Sequence, residues 1–296
     1  MKKSLFLPVL FLFLFPGLMV ADSSRPEINE AKIKRAKAWK TIRRIGSQGS
    51  GILALQDAET AHKSAIFSGG KMSVNPRQKD ELIPSSLNIF LIRVKEKLFL
   101  VDTGFGGKKG LLSEKLALLE VKKEKISGIL LTHIHPDHIG GLLLPDRQRA
   151  AYPEAILYLS RKEYNWNIRK AAPLYPIFSK IRNAYKGRIK LLSGGEKVQG
   201  LFTALDAAGH TPGHMVFQYK NILFAGDLLH GASLQFADPE ICASYDMDRK
   251  GATAARKKFF ELIAAKDLTI AGAHIPFPGT GRLQKEGASF IFLPDE

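Results

Sequence analysis

An apolar run from Gly128 to Thr132 leads directly into His133-Ile134-His135-Pro136-Asp137-His138, followed by Ile139-Gly140-Gly141. Three imidazoles and a carboxylate within six residues are the kind of donors that divalent transition metals take from proteins. A loop leaving the end of a strand can aim alternate side chains at one point. His133 and His135 can therefore share one ion while Asp137 and His138 turn toward a second, whereas a single ion would leave donors unused. Further donors stand beside later apolar runs: His210 in Gly209-His210-Thr211-Pro212-Gly213-His214, Asp227 after Gly226, and His274 after Ala273. Cys242 is the sole cysteine, so an internal disulfide and a four-thiolate zinc site are both excluded, and any metal is held by histidine and carboxylate. A lone histidine is more often structural than a ligand, and the ordered set carries the argument. The histidines outside the set take plainer expectations. His62 lies in a stretch without pattern, His214 is a hydrogen-bonding partner in its own turn, and His230, close after Asp227, is a candidate substrate contact.

These residues need a scaffold that brings strand ends together. Short apolar runs separated by Gly, Pro and Asp predict strands at Ile89 to Val94, Leu98 to Val101, Gly128 to Thr132, Ala155 to Leu159, Met215 to Tyr219, Ile222 to Ala225, Leu268 to Ala271 and Ser289 to Phe292. Helical stretches fall between them at Leu111 to Val121, Arg161 to Lys170, Pro176 to Tyr185 and Lys250 to Ala265. In the last, Ala252, Ala255, Phe259, Leu262 and Ile263 form one apolar face, and Asp248 is placed to cap the start. The irregular alternation predicts a layered α/β domain.

The order and spacing of the donors resemble the metallo-β-lactamase superfamily, whose signature is H-x-H-x-D-H followed by a distant His, a distant Asp and a final His. The resemblance runs from about Asn88 to the end of the chain. It implies a four-layer αβ/βα sandwich with metals in a groove at one edge between the sheets. His133, His135 and His210 would bind the first metal, Asp137, His138 and His274 the second, and Asp227 would bridge both. Asp102, in Val101-Asp102-Thr103-Gly104, matches a position that usually supports a ligand histidine from behind. Two departures narrow the branch. Many zinc β-lactamases carry cysteine where this chain has Asp227, and the redox di-iron branch has glutamate where this chain has His135.

The last third resembles more closely the methyl parathion hydrolase group of secreted phosphotriesterases, through Gly209 to His214, Gly226-Asp227-Leu228-Leu229, Leu234 to Pro239, Ala273 to Gly281, Glu286-Gly287 and Phe290 to Pro294. Two divalent ions, zinc first among them, would share a bridging water and lower its pKa, so that the hydroxide attacks a neutral phosphotriester or ester. Asp227 and Asp137 are the catalytic carboxylates on this reading. Trp166, Tyr164, Phe236 and Phe277 are the expected apolar walls of the substrate pocket. The alternatives are a lactonase acting on acyl-homoserine or related lactones and, from another class, an envelope-surface binding protein with structural metals.

The chain has 296 residues, 45% hydrophobic and 24% charged, with 44 Lys and Arg against 28 Asp and Glu and a net charge of +16. That composition excludes disorder, collagen and coiled coil, and it allows contact with anionic surfaces without naming one. Lys2 and Lys3 precede an uncharged run from Leu5 to Ala21, the layout of a signal peptide, at the lower limit of the roughly 17 to 25 residues that span a bilayer. The expected organisation is a leader at 1–21, an amino-terminal extension with the first strands at 22–87, and the hydrolase domain at 88–296. Residues 27 to 45 read as a basic helical segment or tail. The expected setting is periplasmic or secreted, with a small-molecule substrate, no nucleic acid, no stable membrane span after processing, and a homodimer compatible with the resembling group.

Overall fold

The computed structural model describes residues 40–46, 51–71 and 80–295; the leader expected at 1–21 and most of the basic segment lie outside them. The amino-terminal half contains β1 (Ile42–Arg44), β2 (Ile52–Lys63), β3 (Phe67–Ser68), β4 (Leu82–Val94), β5 (Lys97–Val101), β6 (Ile126–Leu130), β7 (Ile156–Ser160) and β8 (Ile189–Leu192). The other half contains β9 (Lys197–Val198), β10 (Phe202–Asp206), β11 (Met215–Tyr219), β12 (Ile222–Gly226), β13 (Cys242–Ala243), β14 (Thr269–Gly272), β15 (Thr280–Glu286) and β16 (Ser289–Pro294). The helices are α1 (Leu112–Leu118), α2 (Pro136–Ile139), α3 (Arg161–Asn167), α4 (Tyr175–Ala184), α5 (Ala232–Gln235) and α6 (Arg249–Ala265).

Two seven-stranded sheets form, ordered β1-β2-β4-β5-β6-β7-β8 and β16-β15-β14-β12-β11-β10-β9. Side-chain alternation sorts their residues into layers. Leu53, Leu55, Ile89, Leu91 and Leu100 face outward onto Leu112 and Leu116 of α1 and Phe178 and Ile181 of α4. Ile52, Ala54, Phe90, Ile92, Phe99 and Val101 face inward onto Phe202, Ala204, Met215, Phe217 and Phe224 of the second sheet. That sheet's other face, with Val216, Leu223, Ala225 and Ile270, is covered by Phe259, Phe260 and Ile263 of α6. The result is the expected four-layer α/β sandwich. The Asp248 side chain caps α6 by accepting from Gly251 N–H at 3.0 Å, as the sequence predicts.

The structure extends the sequence reading at the amino-terminal side. The division expected at 88 falls inside β4, and both β1 and β2 are members of the first sheet; Ile42–Arg44, read as part of a basic helix or tail, is an edge strand. β2 escapes periodicity because a bulge between Gln56 and Ala58 breaks the alternation and its second half is polar. No helix among the described residues is long and apolar enough to cross a membrane.

Two directions of pairing matter for chemistry. β5 and β6 run parallel, with Val101 opposite Leu130, and β12 and β14 run parallel, with Gly226 opposite Gly272. Parallel neighbours end on the same side, so the residues that follow each strand emerge together.

Phe224 is fully buried between the sheets and meets Phe90 with ring centroids 5.3 Å apart. Phe224→Ala is expected to lower stability by about 3–5 kcal/mol, measured by denaturant unfolding; a loss under about 1 kcal/mol would mean that this layer is not packed as described.

Candidate metal centre

Parallel pairing brings the donors together. The Asp102 N–H donates to Leu130 O at 3.0 Å, which sets Asp102 beside the His133 to His138 loop leaving β6. Across the groove, Asp227 leaves β12 beside His274, which follows β14. Gly226 has φ +50°, and a Cβ there would stand 2.7 Å from His214 Nε2 and Thr132 Cβ, so glycine is required where the chain turns Asp227 inward. The sheets are tied at this edge by the Met215 N–H to Thr132 O at 2.9 Å and the Asn88 N–H to Ala273 O at 2.9 Å. The Asn88 side chain adds bonds to Gly272 O and Ile275 O at 3.1 and 2.7 Å.

The donors form two groups. Ligand atoms of His133, His135, His210 and Asp227 all lie within 4.8 Å of one another, and so do those of Asp137, His138 and His274. Asp227 faces both: its Oδ2 is 3.6 Å from His133 Nε2, 3.3 Å from His210 Nε2 and 3.3 Å from His274 Nε2, and its Oδ1 is 3.0 Å from His138 Nε2. Asp137 Oδ2 lies 3.5 Å from His274 Nε2 and 3.7 Å from His138 Nε2.

Partners behind the rings fix their tautomers. His138 Nδ1–H donates to Asp102 Oδ2 at 2.8 Å, His210 Nδ1–H to Asp246 Oδ1 at 3.1 Å, and His274 Nδ1–H to Ser86 O at 3.1 Å. Thr132 Oγ1 donates to Asp102 Oδ2 at 2.8 Å and therefore accepts from His133 Nδ1–H at 3.1 Å. Each arrangement turns Nε2 toward the groove. His135 differs, presenting Nδ1 at 2.9 Å from His210 Nε2. His214 donates through Nδ1 to Ala207 O at 3.2 Å and accepts at Nε2 from the Asp227 N–H at 3.2 Å, so it positions the backbone of Asp227.

Electrostatics follow from this crowding. Burial would raise the Asp227 carboxyl, yet His138, His274 and His133 hold it well below the usual carboxylate range. Burial would lower His210, but Asp227 and Asp246 raise it to about 9. For His135, burial and then His210 dominate and lower the ring to about 4.

These residues fit divalent cations. His133 Nε2 is buried without a hydrogen-bond partner, and His138 Nε2 and Asp227 Oδ1, although 3.0 Å apart, are buried and make no hydrogen bond; such atoms cost about 1–3 kcal/mol each unless something else engages them. The histidine and carboxylate set is the chemistry such ions take.

A cavity of about 470 Å³ opens over the donors. His230 lines it, stacked on His274 at 5.0 Å with Nε2 3.1 Å from Asp227 Oδ2. The expected aromatic walls do not. Trp166 lies under the Arg169 guanidinium at 3.5 Å, Tyr164 packs on Phe178, Phe236 stacks on Phe292 at 4.9 Å, and Phe277 packs against the inter-sheet core. Each ring is claimed by neighbours that sequence proximity to the motifs does not reveal. The walls are instead Thr60, His62, Phe105, Pro136 and Tyr245. His62, expected to be an ordinary residue, has its ring 5.6 Å from that of His274.

Three other residues lacked a sequence signal. Glu163, buried on α3, accepts from Thr211 Oγ1 at 2.8 Å, Gly213 N–H at 3.0 Å and Ile134 N–H at 3.3 Å, joining the two ligand loops. Asp246 pairs with His210 and with the fully buried Arg256 at 3.3 Å. Arg256 also donates to Leu228 O, Pro239 O and Ile241 O.

A groove of clustered histidine and carboxylate donors at the edge of an αβ/βα sandwich is the arrangement of a class of metal-dependent hydrolases. The chain belongs to the metallo-beta-lactamase superfamily, whose family model matches residues 82–274. Among curated relatives, an uncharacterized protein, YobT, of Bacillus subtilis (strain 168) is 31% identical over 150 residues, covering 48% of this chain and 61% of YobT. A hydroxyacylglutathione hydrolase of Pectobacterium carotovorum is 31% identical over 107 residues, covering 35% of this chain and 34% of that enzyme. The matched region thus spans less than two thirds of these relatives. Among solved structures, the hydrolase AbOPH of the beta lactamase superfamily superposes with TM-score 0.74 at 29% identity, covering 86% of this chain and 99% of that one. AidC, a dizinc quorum-quenching lactonase in complex with a product, N-hexanoyl-L-homoserine, superposes with TM-score 0.76 at 27% identity, covering 86% and 98%.

Asp246→Asn is expected to weaken metal affinity roughly 10- to 100-fold, read by competition with a chromogenic chelator. Unchanged affinity in a folded variant would show that Asp246 does not support His210 as a ligand.

Proposed function

We propose that this protein hydrolyses small neutral esters, with lactones such as acyl-homoserine lactones as its substrate class. His133, His135 and His210 would hold one divalent ion, Asp137, His138 and His274 a second, and Asp227 would face both, with zinc the leading metal for this set. The observation that carries the reading is the convergence of both donor groups, with unpartnered Nε2 and Oδ1 atoms, beneath one cavity. Ions held there would supply Lewis-acid activation of water and of the substrate's carbonyl oxygen. Asp102, Asp246 and Ser86 keep the Nδ1 protons in place, so ring orientation requires no rearrangement during turnover. Phe105 and Pro136 present apolar surface to the substrate.

Among the described residues, no lysine or arginine lines the cavity. An anionic glutathionyl arm would find no cationic partner there, which favours a neutral substrate over the thioester of hydroxyacylglutathione hydrolases. The lactonase AidC supports the lactone reading by its likeness over most of the chain. A neutral phosphotriester, expected from the sequence, offers the same kind of electrophile and forms the competing arm of the test.

The test is kcat/KM of the zinc-loaded protein on N-hexanoyl-homoserine lactone, a methyl aryl phosphotriester and S-lactoylglutathione side by side. The lactone is expected to lead. Asp227→Ala should lose more than the roughly 10- to 100-fold typical of removing a partner behind a ligand. A phosphotriester preference would overturn the lactone assignment, and full activity of Asp227→Ala would overturn the site. We further propose export across the cytoplasmic membrane. Intact-mass analysis of protein recovered from a secretion-competent bacterial host should show a start near Asp22, and retention of Met1 would exclude this processing.

A further inference from the structure

Part of the cavity wall is built by Thr60 and His62 of β2, a strand outside the residues 82–274 that the family model matches. Beyond the bulge at Gln56 to Ala58, Thr60 pairs with Ser85 and His62 with Ile83 across the sheet. Ser85 Oγ donates to His274 O at 3.0 Å, so this register lays the end of β2 against the metal-binding edge. Thr60 Oγ1 and His62 Nε2 are both buried and without a partner, and both residues line the cavity. A threonine hydroxyl both donates and accepts, and an imidazole nitrogen does one or the other according to its tautomer. Tyr245 stands beyond them, its ring 5.8 Å from that of His62.

Two unpartnered polar atoms on the wall of a cavity call for a ligand that supplies hydrogen bonds. With no lysine or arginine on that wall among the described residues, the complementary group is neutral and able both to donate and to accept. We infer that Thr60 and His62 are specificity-determining residues that bind an amide carried by the substrate beside its scissile ester. In an acyl-homoserine lactone the amide nitrogen is attached to the carbon next to the ring carbonyl. Its carbonyl therefore lies a few bonds from the reacting centre, in keeping with the closeness of the His62 and His274 rings. This inference rests on the ester-hydrolase reading and adds which part of the substrate is recognised.

The experiment compares zinc-loaded wild type with Thr60→Val, His62→Leu and the double variant. Substrates are N-hexanoyl-homoserine lactone and a γ-alkyl lactone of similar length lacking the amide. The ratio of kcat/KM for the amide-bearing to the amide-free lactone is expected to fall about tenfold for each single variant, mainly through KM. Calorimetric binding of N-hexanoyl-L-homoserine should weaken by a similar factor, measured against hexanoate. A ratio and a binding constant within threefold of wild type in the double variant would overturn the inference. If wild type hydrolyses neither lactone, the hydrolase reading fails on its own. The calorimetric arm then still decides: selective weakening toward the amide supports the wall's role, and equal binding of amide and hexanoate overturns it.

Discussion

One buried carboxylate sets the terms for this molecule. The oxygens of Asp227 stand within 3.6 Å of Nε2 of five histidines, His133, His138, His210, His230 and His274. Unprotonated imidazole nitrogens and a carboxylate repel one another at such distances, and a buried carboxylate requires compensating positive charge. The assembly is therefore stable only when cations or protons occupy its centre and when the surrounding backbone is stiff enough to keep the rings from turning away. Burial intensifies both requirements, because the low local dielectric strengthens attraction and repulsion alike.

The stiffness comes from beneath and behind. Parallel pairing of β5 with β6 and of β12 with β14 delivers Asp102, His133, Asp227 and His274 to the same edge. Asn88 and Ser86 of β4 then reach across to the His274 loop, so the sheets cannot shift without breaking buried hydrogen bonds. Glu163 joins the loops of His135 and His210, and Arg256 holds Asp246 against His210. Each is a buried polar group with its partners satisfied, the condition under which such networks specify geometry instead of destabilising it.

The metal-binding edge and the substrate wall have different origins within the chain. The donors all fall inside the region shared with the metallo-beta-lactamase superfamily, whereas Thr60 and His62 come from β2, before it. Donors held in a common frame beside a wall supplied by a neighbouring strand allow one such centre to serve different substrates, since wall residues can change while the donors stay in place. Tyr245, on the loop after β13, and Phe105, on the loop after β5, complete that wall from other parts of the fold.

The candidate metal donors were legible in the sequence because they sit in local motifs with distinctive composition: the His133 to His138 run, the turn around His210, and Gly226-Asp227. The layered architecture was legible for the same reason, since short apolar runs bounded by turn residues, such as Ile222 to Ala225 between Asn221 and Gly226, mark buried strands. The pocket was not. Trp166, Phe236 and Phe277 lie near the motifs along the chain, but their rings are taken up by Arg169, Phe292 and the inter-sheet core, while His62 arrives from far upstream. Asp246, Arg256 and Glu163 carry no local pattern, because a buried polar partner is defined by what packs around it. Local sequence determines which groups can bind a metal and where the apolar strands of the core form. Only the tertiary structure decides which distant side chains share a cavity, since that depends on strand register, the bulge in β2 and competition among neighbours for each buried ring.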